Sequence, residues 1–349
     1  KATWCWRLRS RSWCCWLNLL SWFLNRGGLL LHRRTWRLTD TSTTTQTGSM
    51  IQANGNNGPG GNVALQAQQQ LRVSSQIQAN GSTGGVISLT APDSNGVVAI
   101  QNSNIQANGS TGRGGTVSIG ASVNTSVANS AITADGAQQG GKVLIGNDAQ
   151  QSTLPFSLVT NLDATTSVST QASSLDGIGG FIETSGQTLN LLSSINAGHG
   201  GMWLIDPSDL TITQLTANLL STAINTSNVT ISVTNTSCST TYGLCGSNTG
   251  TGSIIVDTQA VISKTSGAAT TLTLNAYGSI YQYGTIAGVS GSPLNVALYA
   301  GVNNATQQTI TLSGVGGIST FGGSLLLGGS GASTGSNATP IANTIIGTN

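Results

Sequence analysis

Charged side chains are scarce in this sequence, making up 6% of its 349 residues, against about a quarter in typical globular proteins. So low a charge content argues against a typical cytosolic enzyme. The chain does not fit the disordered class either, because 38% of its residues are hydrophobic and its net charge is only +2. Residues 1–39 hold eight of the twelve Lys and Arg and none of the ten acids. The rest of the chain is therefore mildly acidic without a basic stripe, which argues against a nucleic-acid partner.

Histidine and cysteine are also rare, with two and five residues. His199 lies in an "AGHGGM" stretch typical of a solvated turn, and no His or Cys cluster has the spacing of a metal site. The sequence contains no G-x-S-x-G elbow and no phosphate-binding loop. These absences predict no catalysis, no cofactor and no metal.

The first 45 residues differ from the rest, since the first 39 hold six of the seven Trp and three of the five Cys. A signal or membrane segment is one interpretation, but the apolar run Trp16–Leu24 is too short to span a bilayer and no cleavage site follows it. A basic amphipathic surface helix is the second, although the Arg spacing gives no clean face. Translation of a wrong reading frame is the third interpretation, and we favour it because the amino-acid composition changes abruptly at the end of this segment. We therefore exclude residues 1–45 from the predicted fold.

From residue 51 onward the sequence repeats itself. An "I-x-A-x-G" anchor and its degenerate copies recur at intervals of 26, 28, 27, 36 and 27 residues, beginning at Ile51, Ile77, Ile105, Ile132, Val168 and Ile195. A period of this length marks an array of repeated units. The long interval contains "NDAQQSTLPFSLVTNLDATTS", which we interpret as one inserted loop.

Within each period, apolar residues alternate over short runs such as "NVALQA" and "TVSIGA", a pattern typical of strands. Helix signals are nearly absent. About three short strands per period predict an all-β fold, a parallel β-helix (β-solenoid) whose coils stack at about 4.8 Å. At roughly 27 residues per coil, the rod has about 11 coils and a length on the order of 50 Å.

The "ANG" triplets are interpreted as one corner of the coil. Asn and Gly both tolerate the left-handed backbone region, so the pair lets the chain turn. Asn54, Asn80, Asn108 and Asp135 are expected to lie above one another and to form a hydrogen-bonded ladder along the rod. Ordinary hairpin turns are the alternative, but they leave the constant period unexplained.

Two passages resemble a known family. These are "AITADGAQQGGKVLIGNDAQQSTLP" at 130–154 and, more closely, "GGFIETSGQTLNLLSSINAGHGGMWLIDPSDLTI" at 179–212. Both are similar to the filamentous-haemagglutinin-like exoproteins of two-partner secretion in Gram-negative bacteria, and the likeness extends over about residues 49–349. The motif positions in this sequence are Gly180, Phe181, Glu183, Thr184, Ser185, Gly186, Trp203, Leu204, Asp206, Pro207 and Asp209.

The resemblance implies a right-handed β-helical shaft, secreted through an outer-membrane translocator to the bacterial cell surface. It further implies an adhesin that attaches to glycans or proteins of host cells, to surfaces or to other bacteria. The family's N-terminal secretion signature is absent, so we expect an internal fragment. The regular coils are expected over 46–212, a looser continuation over 213–325 and a Gly/Ser-rich tail over 326–349.

Breaks in the pattern, at about 147–167 and 236–250, are expected to choose the partner. Cys238 and Cys245 are close in sequence, which in an exported protein predicts a disulfide-closed loop, with two free thiols as the alternative. Asp206 and Asp209 in "LIDPSDL" are interpreted as turn residues, and Trp203 as a large core or capping residue.

Two rival functions remain open. Carbohydrate-active enzymes also use β-helices, but their sites need clustered carboxylates with Arg or Lys, and both are thinly spread here. An amyloid-like matrix protein with Gln- and Asn-rich strands is the second rival.

Overall fold

The computed structural model of the chain describes residues 30–32, 35–149, 153–233, 251–304, 308–313, 316–329 and 342–346. The structure is nearly all β, with parallel strands stacked as a β-solenoid of about ten turns, so the predicted fold class is confirmed. Strands are numbered β1 to β30 in chain order, and the coils present three faces.

Face one runs unbroken along the described solenoid. Its strands are Thr35–Thr44 (β2), Asn62–Val73 (β4), Val86–Ala91 (β6), Thr116–Ala121 (β9), Lys142–Ile145 (β12), Phe181–Gly186 (β15), Met202–Pro207 (β18), Asn228–Val233 (β20), Thr270–Ala276 (β23), Leu294–Ala300 (β26) and Leu325–Gly329 (β29). The long strands β2 and β4 also turn the corner into face two.

Face two consists of two separate stacks. The first continues from β4 with Val97–Gln101 (β7), Asn124–Ala128 (β10), Val159–Leu162 (β13) and Thr188–Leu191 (β16). The second contains Leu210–Ile212 (β19), Ile254–Val256 (β21), Ile280–Gln282 (β24), Gln308–Leu312 (β27) and Ala342–Ile346 (β30).

Face three is divided in the same way. Its first stack contains Leu30–His32 (β1), Ser49–Gln52 (β3), Ser75–Gln78 (β5), Asn104–Gln106 (β8), Ala131–Thr133 (β11), Ser167–Ser169 (β14) and Ser194–Asn196 (β17). Its second stack contains Val261–Ser263 (β22), Thr285–Ala287 (β25) and Ile318–Ser319 (β28).

The repeated anchors lie in register on face three. Ile51 pairs with Ile77, and the same row continues coil by coil through the other anchors, Ile105, Ile132, Val168 and Ile195. These side chains are buried, and so are the residues two positions later, which are alanines except for Thr170. The narrow interior is thus filled by small and β-branched side chains from every second strand position, which is the alternation seen in the sequence.

The solenoid begins before residue 46, contrary to the expected boundary. Strand β2 pairs in parallel with β4, and Leu38 lies opposite Leu65 with its side chain buried. Thr45 continues inward, where its hydroxyl hydrogen-bonds that of Ser75 at 3.0 Å. The unusual composition concealed this strand, because outward positions such as Arg37 accept almost any residue. At the other end, β29 and β30 pair with preceding coils, so coils continue into the expected tail of 326–349.

One helix, α1 (Gln214–Ala223), interrupts face three, and the sequence did not predict it. It contacts both β17 and β22 and so occupies the position of a missing strand. The side chain of Gln214 accepts a hydrogen bond from the Val261 N–H at 3.1 Å, and Ser221 Oγ accepts one from the Ser263 N–H at 2.9 Å. Two helix side chains therefore take the place of the carbonyl groups that a neighbouring strand would offer β22. No helix in the described ranges is long and apolar enough to cross a membrane.

Candidate functional site

The two motif strands β15 and β18 lie side by side on face one. They pair in parallel, with Ser185 opposite Asp206 and Gly186 opposite Pro207. Strand β15 is unusual for an outer strand, because it is buried on both sides from Ile182 to Gly186. The outward side of a solenoid strand normally meets solvent, so another part of the chain must cover this one.

Inside the coil, the motif supplies the largest buried side chain of the described core. Trp203 is 1% exposed, and its indole Nε1 donates to the Thr184 hydroxyl at 3.0 Å from the neighbouring coil. A buried indole needs an acceptor for its N–H. The motif threonine provides that acceptor at an inward position, where most coils place an aliphatic residue.

The cover over β15 is the insertion between β12 and β13, residues 146–158, which we name the latch. Within its described residues, Leu154 is buried and packs against Gly120 on β9. At the far end of the latch, Ser157 donates its N–H to the Gly146 carbonyl at 2.9 Å and its hydroxyl to the Ala121 carbonyl at 2.6 Å. The expectation of one inserted loop at 147–167 is thus corrected, and its role in choosing a partner stays a prediction. Its first part is folded onto face one, and Val159–Leu162 is an ordinary strand.

A buried carboxylate cluster joins the latch to face one. Glu183 is fully buried and accepts hydrogen bonds from the Ala149 N–H and the Ser185 hydroxyl, each at 2.9 Å. Asp148 is also buried; it accepts from the Thr153 hydroxyl at 2.5 Å and forms a salt bridge of 3.5 Å with Lys142. The Glu183 carboxylate therefore attaches the latch to β15 through Ala149, and Asp148, itself a latch residue, attaches it to Lys142 on β12.

Burial raises the pKa of Glu183 to about 7, and the nearby negative charge of Asp148 adds to the rise. The hydrogen bonds from Ala149 and Ser185 and the charge of Lys142 oppose it. Glu183 thus titrates near neutral pH while holding the latch. The cluster does not form an open catalytic groove, because both carboxylates are buried. No group of three His, Cys, Asp or Glu suited to a metal ion occurs among the described residues.

The asparagine ladder follows the corner between faces three and one. Asn54 Oδ1 accepts the Asn80 N–H at 2.8 Å, Asn80 Oδ1 accepts the Asn108 N–H at 2.7 Å, and Asn108 Oδ1 accepts the Asp135 N–H at 2.9 Å. Asp135 extends the row to the Gln171 N–H at 2.7 Å. The ladder therefore joins side chains to backbone amides, whereas the sequence suggested side chains bonded to each other.

The glycines of these corners are not needed for a left-handed backbone, so the predicted reason for them is wrong. Among the described residues, neither the Asn nor the Gly of the "ANG" triplets has a positive φ. A Cβ on Gly81 would instead overlap the backbone of Gly58 and Gly60 in the preceding coil. Gly84 and Gly85, the glycine pair that follows the second "ANG" triplet, are needed for the same reason, because a Cβ on Gly84 would overlap the Ala107 carbonyl oxygen of the next coil. Close coil-to-coil approach, not left-handed backbone, thus requires glycine here.

The remaining motif residues support the corner and the cover. Gly180 donates its N–H to the Thr170 and Ala197 carbonyls at 2.7 and 2.8 Å. Lys142 Nζ lies 5.6 Å from the centre of the Phe181 ring. Leu204 lies beside Glu183 on the outward side of face one.

The "LIDPSDL" passage forms a turn only in part. Asp206 and Pro207 belong to strand β18 rather than to a turn, which corrects the turn assigned to Asp206. Asp209 lies in the bend that follows, where its Oδ1 accepts the Ser253 N–H at 3.1 Å from the next coil. His199 is exposed in a turn, as predicted. Cys238 and Cys245 lie outside the described residues.

Sequence reasoning missed a buried cation, Lys264. Its side chain is fully buried, and Nζ donates to the carbonyls of Ile224 at 2.9 Å and Ser266 at 2.7 Å. Ile224 is the C-cap of α1, so the ammonium lies at the negative end of the helix dipole. Burial lowers the pKa of Lys264.

Helix α1 also had a signal in the sequence that was missed, since Thr213 precedes it as N-cap and its buried residues Ala217, Leu220 and Ala223 recur every third position.

The fold and the site define the chain as a parallel β-solenoid with a latch-covered outer face. No family model, no curated protein and no solved structure matches the chain.

Proposed function

We propose that the chain is the shaft of an adhesin that is secreted to, or displayed on, a Gram-negative cell surface, and that it carries no catalytic activity. The observation that supports this proposal best is the unbroken face one, in which each coil pairs with the next over the whole described solenoid. A rod built this way extends by adding coils, and its length does not depend on a large hydrophobic core.

The outer surface also suits a shaft. Charged residues are few, and coil-to-coil contacts at the asparagine ladder are made by uncharged amides such as Gln52 and Gln78, bonded at 2.8 Å. Gln and Asn side chains of this kind suggested an amyloid-like matrix protein, but in these contacts they hydrogen-bond between coils of one chain. The resemblance of the motif strands to two-partner-secretion exoproteins supports export through an outer-membrane translocator and attachment to surface glycans or proteins.

A bead-adhesion assay tests the proposed attachment. The purified chain is coupled to fluorescent beads, which are then incubated with epithelial cells and with bacterial cells and counted after washing. We expect retention well above that of beads coated with albumin or with the heat-denatured chain. Equal retention of all three bead types on both cell classes would overturn the proposal.

A carbohydrate-active β-helix enzyme is the second candidate, because Asp148, Glu183 and Lys142 converge on one face. Both carboxylates are buried, so substrate could reach them only after the latch moves. Release of unsaturated or reducing ends from uronic-acid polymers, abolished in Glu183→Gln, would favour the enzyme over the adhesin.

A further inference from the structure

The second stack of face two carries a pair of outward aromatic rings. Tyr281 lies on β24, and Tyr283 is the first residue after that strand. Their side chains point to the same side, with ring centres 6.1 Å apart and ring planes inclined by 26°. Both rings are partly exposed. Aromatic residues are only 5% of the chain, so two adjacent rings on one solenoid face stand out from the aliphatic and hydroxyl surface elsewhere.

Strand register gives the surroundings of the two rings. Tyr281 lies between Ile255 on β21 and Thr311 on β27. Two positions further along, the same register places Asp257 beside Tyr283, whose N–H donates to the Val256 carbonyl at 3.0 Å. We name the surface formed by these five residues, Ile255, Asp257, Tyr281, Tyr283 and Thr311, the tyrosine face.

Charge excludes several classes of partner for this face. Between Lys264 and the last residue, Asn349, the sequence contains no charged side chain, so Asp257 supplies the one charge of the tyrosine face. Single-stranded nucleic acids also stack on aromatic rings, but they need a cationic groove for their phosphates. Anionic membrane surfaces require basic residues as well. A neutral ligand therefore fits the face better than a phosphate-bearing one.

A pyranose ring has the complementary chemistry. Its axial C–H groups form an apolar patch that packs on an aromatic ring, and its equatorial hydroxyls need polar acceptors and donors at the side. The exposed parts of the stacked Tyr281 and Tyr283 rings supply the apolar surface. Thr311 supplies a hydroxyl, and Asp257, whose Oδ1 already accepts from the Thr258 N–H at 2.6 Å, supplies its second oxygen as an acceptor. The face lies on the outside of a parallel sheet, where side chains of successive coils form rows, which suits a chain of sugar rings rather than a single buried sugar.

We propose that the tyrosine face binds a neutral polysaccharide of pyranose units. This proposal deepens the attachment function proposed above and rests on it, since it identifies the surface and the chemical class of the ligand. Stacking would use the two tyrosine rings, and Asp257 would accept hydrogen bonds from sugar hydroxyls.

Calorimetric titration with hexasaccharides of glucose, galactose and N-acetylglucosamine tests the proposal on the full chain. We expect at least one of the three to bind, and Tyr281→Ala or Tyr283→Ala to weaken its affinity about tenfold, the effect of one lost aromatic contact. Tyr281→Phe should bind within about threefold of the original chain, because the ring is kept. Tyr299→Ala is the matched control, since Tyr299 points outward from face one and its loss should leave affinity unchanged.

The possible outcomes distinguish the tyrosine face from the attachment function. If none of the hexasaccharides binds, or if Tyr283→Ala and Tyr299→Ala bind the sugar equally well while melting at the original temperature, the tyrosine face is not the binding surface. Adhesion of coated beads without sugar binding would leave the attachment function standing and overturn this inference alone. Sugar binding without bead adhesion would overturn the attachment function and leave the binding face standing.

Discussion

The Glu183 carboxylate accepts the backbone N–H of Ala149 at 2.9 Å across 34 residues of sequence. Ala149 belongs to the latch and Glu183 to the next coil, so this bond closes the cover over face one. Protonation of Glu183 is therefore coupled to the stability of the latch on face one.

Stability should therefore depend on pH through Glu183. Its pKa is about 7 in the folded chain and ordinarily 4.5, so between these values the folded state binds the proton more tightly than the unfolded state. The stabilisation is complete below pH 4.5 and is lost as the pH rises through 7. We expect the free energy of unfolding to fall by about 2–3 kcal/mol between pH 5 and pH 8, measured by urea denaturation.

Glu183→Gln is the control for this effect, because the amide oxygen can still accept from Ala149 but does not titrate. The variant should lose most of the decline seen between pH 5 and pH 8. Lys142 and Asp148 face the same cluster in both the original chain and the variant. An undiminished decline in the variant would show that another group causes it.

Close approach of the coils predicts an asymmetric response to alanine at glycine positions. A Cβ on Gly84 would overlap the Ala107 carbonyl oxygen, whereas a Cβ on Gly58 has no neighbour within 4 Å. Gly84→Ala should destabilise the chain by more than about 3 kcal/mol or prevent folding, a loss typical of overpacked backbone. Gly58→Ala should change stability by less than about 1 kcal/mol. Thermal unfolding followed by circular dichroism separates the two, and similar melting temperatures would argue against the steric role of the glycine pair.

Much of the fold was predictable because each coil repeats one local pattern. Alternation identified the strands, and the period aligned Ile51 with Ile77 and the later anchors. The reason for glycine was not predictable, because a left-handed corner and a close coil contact demand the same residue. Nor could the sequence show whether the insertion projects or packs, since that depends on Gly120 leaving room for Leu154.

The asparagine ladder should tolerate aspartate better than alanine. Asn80 Oδ1 accepts the Asn108 N–H at 2.7 Å, and Asn80 Nδ2 donates to Gln106 at 3.1 Å. Asn80→Ala leaves the Asn108 amide without its partner, which costs about 1–3 kcal/mol. Asn80→Asp keeps the acceptor, as Asp135 does further along the same ladder, and should cost less. Urea denaturation of both variants at pH 7 tests the order, and a larger loss for aspartate would contradict the side-chain-to-backbone ladder.

The helix escaped prediction because its function depends on partners far away in sequence. Its polar side chains face strand β22, which lies about 40 residues further along the chain, and pair with amides that a solenoid strand would otherwise satisfy. Local periodicity reveals the buried positions of the helix. It does not reveal that face three has a gap for the helix to fill.

Removing one helix acceptor should expose strand β22 to hydrogen exchange. Ser221 Oγ accepts the Ser263 N–H at 2.9 Å, so Ser221→Ala should speed exchange of the Ser263 amide by about tenfold, the equivalent of one net hydrogen bond. Thr222→Ala is the matched control on the same helix, because the Thr222 hydroxyl bonds only within the helix, to the Asn218 carbonyl at 3.0 Å. Amide exchange followed by nuclear magnetic resonance resolves the two variants. If the Ser263 amide exchanges equally fast in both variants, Ser221 Oγ is not the specific acceptor that protects this amide of strand β22.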